Sequence, residues 1–254
     1  MNGRAMDFEA RTVGWEKPDP SKHVKLEHVV EEDVTYADLT LDTFGVMGSR
    51  FTGCVFRNIR AQNVSLGAGM DQSVYVDCTF DRLKTPYMAG GRTRFERCIF
   101  TAVDIRDWRC FTVEMVDCTF SGRLRGSFFN GTVPVEDRQR LGRERNEFHG
   151  NDFSQALFGD VDFRTGIDLT RQRLPEKGAY LFLPDAPAAI AAARASIAQW
   201  EDEGQKDDAE FFLAQRDDDA RAGQHQLFIP ESVLRVASNP GQERVIELLR
   251  QIVS

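Results

Sequence analysis

The sequence predicts a mainly β fold: a β-helix of stacked coils, followed by a small α-helical segment. The first observation behind this prediction is a period of five. Between positions 98 and 122, apolar residues recur at every fifth position in two columns, which start at Cys98 and Phe100. A helix turns by about 100° per residue and a flat strand alternates its faces, so neither keeps every fifth side chain on one side. The chain must therefore bend once in each group of five residues.

A period of twenty supports the same fold independently. The phrase Cys-x-Phe occurs four times, and its cysteines are separated by 24, 20 and 20 residues. Four bent groups of five close one coil of twenty residues, and the surplus of the first step falls at 67–70. The phrases begin at Cys54, Cys78, Cys98 and Cys118 and end at Phe56, Phe80, Phe100 and Phe120. Together the two periods predict a stack of about six coils.

A second phenylalanine series continues the coils after an insertion. Its members are spaced by five and are Phe148, Phe153, Phe158 and Phe163. The step from Phe120 to Phe148 exceeds one coil, and we assign the surplus to an insertion at 128–145. Within it, 134–142 is predicted to be a short helix, because proline opens the segment, acids follow and glycine ends it.

The pattern resembles the pentapeptide-repeat family, whose five-residue unit reads small, Asp or Asn, Leu or Phe, polar, and Gly-like. The groups 151–155 and 161–165 fit this unit well. The resemblance implies a right-handed quadrilateral β-helix, which we place at 34–170, about half of the chain. It implies little about activity, because members of the family share a shape and no catalytic motif.

The segments that flank the repeats belong to other structural classes. Residues 1–33 are predicted to form an N-terminal arm and cap, in which 23–30 adds a first strand over the exposed end of the solenoid. Residues 171–254 are predicted to be an α-helical segment that packs on the last coil. Its helices are expected at 187–200, at 207–221 and from Ser238 onward, each with an apolar stripe, and 227–230 is expected to be an extended link.

The composition favours a cytosolic protein without metal or cofactor. Hydrophobic residues make up 41% of the 254 residues, and the first ten residues carry charges where a signal peptide needs an apolar core. No apolar run approaches the length of about eighteen residues that a membrane span needs. The five cysteines form no Cys-x-x-Cys pair and are expected to be reduced thiols. We therefore expect a cytoplasmic location and no membrane contact.

The net charge of −8 is spread unevenly along the chain. Residues 34–127 hold 12 Lys and Arg against 10 Asp and Glu, a net of +2, whereas residues 166–222 hold 7 against 12, a net of −5. This distribution bears on one property of the family that the chain resembles: some of its members mimic B-form DNA and bind DNA gyrase. Such mimicry requires an acidic rod, so a near-neutral solenoid makes it a less favoured alternative.

The repeated cysteines and phenylalanines are interpreted as core residues. Neighbouring strands lie about 4.8 Å apart, which brings successive cysteines within reach of a disulfide or a shared metal. A crowded corner nevertheless requires a small apolar residue, and free cysteine packs as one. We therefore predict buried thiols and stacked rings in the columns Cys54, Cys78, Cys98, Cys118, Phe56, Phe80, Phe100, Phe120, Phe148, Phe153, Phe158 and Phe163.

For function, we expect a non-catalytic protein that binds another protein, in the manner of an immunity or regulatory factor that masks its target. No catalytic set or phosphate-binding loop stands out in the sequence, and stiff rods of stacked coils bind by their surfaces. Aromatic and arginine side chains most often anchor interfaces, so the hypothesis places the partner at the insertion. The proposed anchors are Phe128, Phe129, Arg138, Arg140, Arg143 and Arg145.

Alternatives to this interpretation stay open at the level of sequence. The simpler explanation of the insertion arginines is a solvated segment that pairs with its own neighbouring acids. The DNA mimic is an alternative function, and an enzyme with a site at the junction of solenoid and helices is another. No direct contact with nucleic acid is expected, and the chain is expected to be a monomer or a homodimer.

Overall fold

The computed structural model describes residues 19–176, 180–235 and 239–253. Its first part is a β-solenoid of about five turns, and a few short helices follow towards the C-terminus. The predicted fold class is therefore confirmed. Most of the predicted N-terminal arm, 1–18, and the predicted helix start at Ser238 lie outside the described residues.

Parallel strands form the walls of the solenoid, and each strand pairs with a strand that lies one coil further along the chain. Long strands bend through more than one wall, whereas short strands occupy a single wall. The strands are β1 (His23–Glu27), β2 (Val30–Glu32), β3 (Thr35–Met47), β4 (Arg50–Thr52), β5 (Val55–Ala68), β6 (Ser73–Val76), β7 (Thr79–Asp81), β8 (Lys84–Thr85), β9 (Met88–Ala89), β10 (Thr93–Glu96), β11 (Ile99–Arg106), β12 (Trp108–Cys110), β13 (Glu114–Val116), β14 (Thr119–Asn130), β15 (Phe148–His149) and β16 (Asp152–Arg164).

The bends between walls fall at residues with left-handed backbone geometry. Asp38 and Asn58, which lie one coil apart, have φ values of 58° and 50°, and Asp107 and Asp117 have φ values of 49° and 55°. Asp and Asn tolerate this region better than other side chains, because their short polar groups hydrogen-bond to the local backbone. Recurring Asp and Asn residues therefore allow the chain to turn at several corners, and glycine supplies the same geometry at others, such as Gly48 and Gly53.

The register is clearest on one wall, where inward-facing rings from successive coils stack face to face. The centroids of neighbouring rings are 5.3, 4.9, 4.7, 4.5 and 4.7 Å apart. The rings belong to Tyr36, Phe56, Phe80, Phe100, Phe120 and Phe153. These six layers enclose five complete turns, so the solenoid has about five turns and not the predicted six.

The predicted columns of cysteine and phenylalanine lie in the core. Cys54, Cys78, Cys98 and Cys118 are fully buried, and the phenylalanines of both series are buried apart from Phe158. Phe158 is half-buried because it belongs to the last layer, where the ring of Phe228 covers it at a centroid distance of 5.5 Å. The last layer thus depends on the C-terminal segment for its cover.

The thiols of the core are free. None of the five cysteines forms a disulfide, and all five are buried. Burial raises the pKa of the Cys54, Cys98 and Cys110 thiols, because a thiolate would lose its hydration there. Among the described residues, no group of three or more His, Cys, Asp or Glu is placed to hold a metal ion.

We expect thiol titration with Ellman's reagent to count five free thiols in denaturant and to proceed slowly in the native protein. The unfolded thiols ionise near pH 8.5, whereas the raised pKa values keep the protons on native Cys54, Cys98 and Cys110. The native state therefore binds more protons above that pH, and the free energy of unfolding should fall as the pH rises. Rapid native titration, or stability that is unchanged between pH 7 and pH 10, would contradict buried thiols.

The insertion forms a short helix close to the predicted position. Helix α1 (Val135–Leu141) ends at Gly142, which has a left-handed φ of 65° and whose backbone N–H donates to the carbonyl of Arg138. Acidic residues occupy its first turn and arginines its last, which complements the helix dipole. The helix is thus locally specified, although seven residues alone are too few for an isolated helix to persist.

The C-terminal segment consists of a two-stranded sheet and helices. Its strands, β17 (Tyr180–Leu183) and β18 (Leu227–Pro230), pair antiparallel, so the expected extended link is one strand of this sheet. The helices are α2 (Ala186–Ile197), α3 (Glu203–Arg221), α4 (Glu231–Leu234) and α5 (Pro240–Val253). Helix α3 begins four residues earlier than predicted, because the side chain of Asp202 accepts a hydrogen bond from the backbone N–H of Gln205 and caps the helix there.

This segment has its own core and also covers the last coil. Leu183, Ala193, Leu213 and Val245 are buried in a cluster that is separate from the solenoid core. The ring of Phe228 faces the other way and meets the rings of Phe158 and Phe163 in the last coil. The expected packing of the helical segment on the solenoid therefore occurs through β18.

Candidate functional site

The aromatic residues proposed as partner anchors belong largely to the protein's own packing. Phe129 is 1% exposed and its ring centroid lies 5.7 Å from that of Trp108, so this ring is packed in the solenoid core and not presented at the surface. Phe128 is half-buried: the guanidinium of Arg164 covers its ring at 4.6 Å, and the ring of Phe111 meets it edge-on.

The four insertion arginines bind their own chain. Arg138 and Arg145 donate to backbone carbonyls at 3.0 and 2.6 Å, and Arg140 contacts the sulfur of Met70 at 2.7 Å. Arg143 forms an ion pair with Glu114 at 3.2 Å. The contact of Arg138 lies within the insertion, and the other three hold the insertion against the solenoid. Partner binding by the insertion stays a prediction.

A buried charge cluster anchors the base of the insertion. The side chain of Glu114 is 6% exposed and accepts hydrogen bonds from the side chain of Gln72 at 2.9 Å and the backbone of Glu147 at 3.3 Å. It pairs with Arg94 at 3.5 Å as well as with Arg143. Burial lowers the pKa of Arg143, and the charge of Glu114 opposes that effect. The sequence allowed a solvated insertion whose arginines pair with the acids beside them. In the structure, Arg143 pairs instead with Glu114 of the solenoid.

A different surface is rich in cations, and several of them have no ion pair among the described residues. One wall of the solenoid carries five outward-facing cationic residues from successive coils, which we call the basic wall. Parallel pairing places Arg60 beside Lys84, Lys84 beside Asp104, and Asp104 beside Arg123; the adjoining row places Arg106 beside Arg125. The basic wall consists of Arg60, Lys84, Arg106, Arg123 and Arg125.

The basic wall contains a groove of about 470 Å³. Its floor is formed by Leu41, Ala61 and Thr85, which occupy inward positions of successive coils and are buried. Ala61 and Thr85 are much smaller than the phenylalanines of the stacked wall, so this wall has small inward side chains where the groove lies. Pro86 is exposed at its rim. The groove thus follows from side-chain size at inward positions.

The charges around the groove are strongly unequal. Arg60, Lys84, Arg106 and Arg125 line it, and of the described lining residues only Asp104 is acidic. Asp104 pairs with Arg125 at 2.5 Å and with Lys84 at 3.7 Å. Within the described parts of the chain, Arg60, Arg106 and Arg123 have no ion pair, and all three are exposed. The groove therefore keeps unneutralised positive charge.

Two glycines lie in the strands that carry the last cations of the basic wall, Gly122 in β14 and Gly159 in β16. Gly122 has a φ of 102° where the pairing of β11 with β14 shifts register, and a Cβ there would lie 2.2 Å from the carbonyl oxygen of Val103. Gly159 pairs with Arg125, and the stem of Arg125 lies over it. The Nε of Arg125 is buried without a hydrogen-bond partner among the described residues. Arg125 is thus held by its contacts with Gly159 and Asp104, while its Nε–H donates no hydrogen bond within the described residues.

Sequence reasoning did not identify the basic wall, although a signal for it exists. Arg60, Lys84, Asp104 and Arg123 are separated by 24, 20 and 19 residues, so they occupy one equivalent position of successive coils. The first interval contains the four-residue insertion, and the last is shortened by the shift at Gly122. A sequence alignment of the coils that allows for the insertion and for the one-residue shift would have shown a column of mostly cationic residues.

Comparisons with known proteins do not assign this chain to a family. It matches no family model, no curated protein and no solved structure. Among the described residues, no helix is long and apolar enough to cross a membrane. The interpretation of the site therefore rests on its geometry and its charge.

Proposed function

We propose that this chain is a non-catalytic scaffold of the pentapeptide-repeat type, which binds an acidic surface of another protein through the groove in its basic wall. The observation that carries the proposal is the unneutralised charge of Arg60 and Arg106 beside a groove of about 470 Å³. Complementary charge speeds association and selects partners, and arginine is the cation that binds carboxylates in a two-pronged geometry. The partner is thereby masked in the manner expected of an immunity or regulatory factor.

Several features support the scaffold class. The period of five and the coil of twenty residues agree with the pentapeptide-repeat pattern. The strands pair in parallel over successive coils, which makes the groove a rigid surface that needs no rearrangement on binding. The proposed location is the cytoplasm, because five unpaired cysteines suit a reducing compartment. A DNA mimic is less well supported, because it would need negative charge where this wall carries cations.

The test is affinity capture from the native host with matched charge variants. Arg60→Glu/Arg106→Glu should reduce recovery of the specific partner at least tenfold, which corresponds to roughly 1.4 kcal/mol. The control is Arg50→Glu/Arg171→Glu, because both residues are exposed, lie away from the basic wall and have no ion pair in the described parts of the chain. This control changes the net charge by the same amount.

Binding of the captured protein should then be measured directly with the purified pair. We expect the wild type and the control variant to bind with similar Kd and the affinity to fall as salt screens the charges. Equal affinity of the groove variant would remove the groove from the interface. Loss of capture after nuclease treatment would show that the wall binds nucleic acid and would overturn the protein-binding proposal.

A further inference from the structure

The junction between the last coil and the C-terminal helices contains a second cleft. It consists of two hollows of about 450 and 340 Å³, which share Asp160, Gln215, Arg216 and Val233 in their linings. Strand β16 forms one side, helix α3 forms the other, and β18 with α4 closes the end. We call this space the junction cleft. A hollow of this size, formed where two structural units meet, is a common setting for small-molecule binding.

Helix α3 presents two opposite charges to the junction cleft. Arg216 and Asp219 lie three residues apart on this helix, and both are half-buried. Arg216 donates a hydrogen bond to the side chain of Gln215 at 2.7 Å, and its guanidinium lies 4.4 Å from the ring centre of Phe212. Within the described residues, neither Arg216 nor Asp219 has an ion-pair partner, and the carboxylate of Asp219 accepts no hydrogen bond. The two charges are thus near each other but not joined.

The surroundings of Arg216 and Asp219 disfavour the charged form of both side chains. Burial lowers the pKa of Arg216, and burial together with the charge of Asp162 raises the pKa of Asp219. Asp162 is paired with Arg164 at 2.5 Å, and the charges of Asp219 and Asp162 offset only part of the effect of burial on Arg216. A charged group that loses water without gaining a partner destabilises the folded state. A bound molecule that supplies the missing partners would remove this cost.

The cleft also offers an apolar wall. Phe211 is 60% exposed and lines the hollow, while Phe212 is buried beneath the guanidinium of Arg216. Val233 of α4 and Phe228 of β18 add apolar surface. The exposed ring of Phe211 gives the apolar side chain of a ligand a surface on which to pack.

We infer that the junction cleft binds a small zwitterion with an apolar side chain, such as a free aromatic or branched amino acid. The ligand's carboxylate is placed on the guanidinium of Arg216, its ammonium group faces the carboxylate of Asp219, and its side chain contacts Phe211. Arginine forms strong, directional bonds with a carboxylate, and the ammonium neutralises the second charge. This is a binding site, separate from the basic wall and independent of the protein partner.

The inference is tested by calorimetric titration of the full chain with ligands built on one scaffold. L-Phenylalanine carries both charges, 3-phenylpropionate lacks the ammonium group, and 2-phenylethylamine lacks the carboxylate. We expect L-phenylalanine or L-leucine to bind with a Kd below about 1 mM, and each singly charged analogue to bind at least tenfold more weakly. Absence of binding by both amino acids, or equal binding by a singly charged analogue, would overturn the inference.

Variants locate the site. Asp219→Asn and Arg216→Gln should each weaken amino-acid binding at least tenfold, whereas Asp218→Asn and Arg221→Gln, which change exposed charges of the same helix, should not. If Arg216→Gln fails to fold, Asp219→Asn and the ligand series still decide the question. Arg60→Glu/Arg106→Glu should bind the amino acid as the wild type does. Unchanged affinity in Asp219→Asn would place any binding elsewhere.

Discussion

Phe100→Ala should lower the free energy of unfolding by about 3–5 kcal/mol, the range found for phenylalanines truncated in a packed core. The side chain is fully buried, and its ring stacks on Phe80 at 4.7 Å and on Phe120 at 4.5 Å. Its removal leaves a cavity in the middle of the stack, and the rigid coils on both sides cannot close it. Equilibrium unfolding in urea measures this loss.

The neighbouring residue provides the control for this prediction. Thr101 points outward and is exposed, so Thr101→Ala should change the free energy of unfolding by less than about 0.5 kcal/mol. Phe158→Ala should fall between the two, because that ring is half-buried in the last layer. Similar losses for Phe100→Ala and Thr101→Ala would show that the register of the coils is wrong.

Arg143→Ala should destabilise the protein by about 3 kcal/mol, because it leaves the buried carboxylate of Glu114 short of a partner. The side chains of Arg143 and Glu114 are 18% and 6% exposed, so water cannot replace the lost guanidinium. Arg94 stays close to Glu114, which keeps the loss at the lower end of the range for broken buried pairs. The four insertion arginines are therefore not interchangeable, and replacing all of them by alanine should lower the melting temperature.

The control is Arg140→Ala in the same insertion. Arg140 is exposed and contacts Met70, so its loss should have little effect on stability. The double variant Glu114→Gln/Arg143→Met should lose less than the sum of the two single variants, because neither charge is then left alone. Additive losses, or an Arg143→Ala variant as stable as Arg140→Ala, would show that the ion pair does not hold the insertion.

The fold could be predicted because two periods in the sequence have one common geometric solution. Cys98 and Cys118 recur at the length of one coil, and Phe100 and Phe120 recur with them; the structure stacks those rings directly. The helix at 134–142 was predictable for a different reason, since its ends are specified locally. The number of turns was less predictable, because the incomplete first and last layers resemble full coils when only apolar positions are counted.

The candidate sites were harder to predict because they depend on differences between coils. The groove exists where Ala61 and Thr85 replace larger inward residues, and a search for regularity passes over such positions. The junction cleft depends on how α3 lies against β16, which no local pattern specifies. The insertion was proposed as a binding surface because aromatic residues and arginines often anchor interfaces. The same residue types also form cores and buried ion pairs, and Phe129 and Arg143 do so here.

The solenoid is modular, because each coil pairs only with the coils next to it. One additional unit of twenty residues could be inserted between two coils while every other wall contact is kept, since each coil meets only the coil before it and the coil after it. The basic wall would then lengthen by one strand spacing, about 4.8 Å. Gene duplication of a single coil is thus a route by which the length of this surface can change without redesign of the side chains already on it.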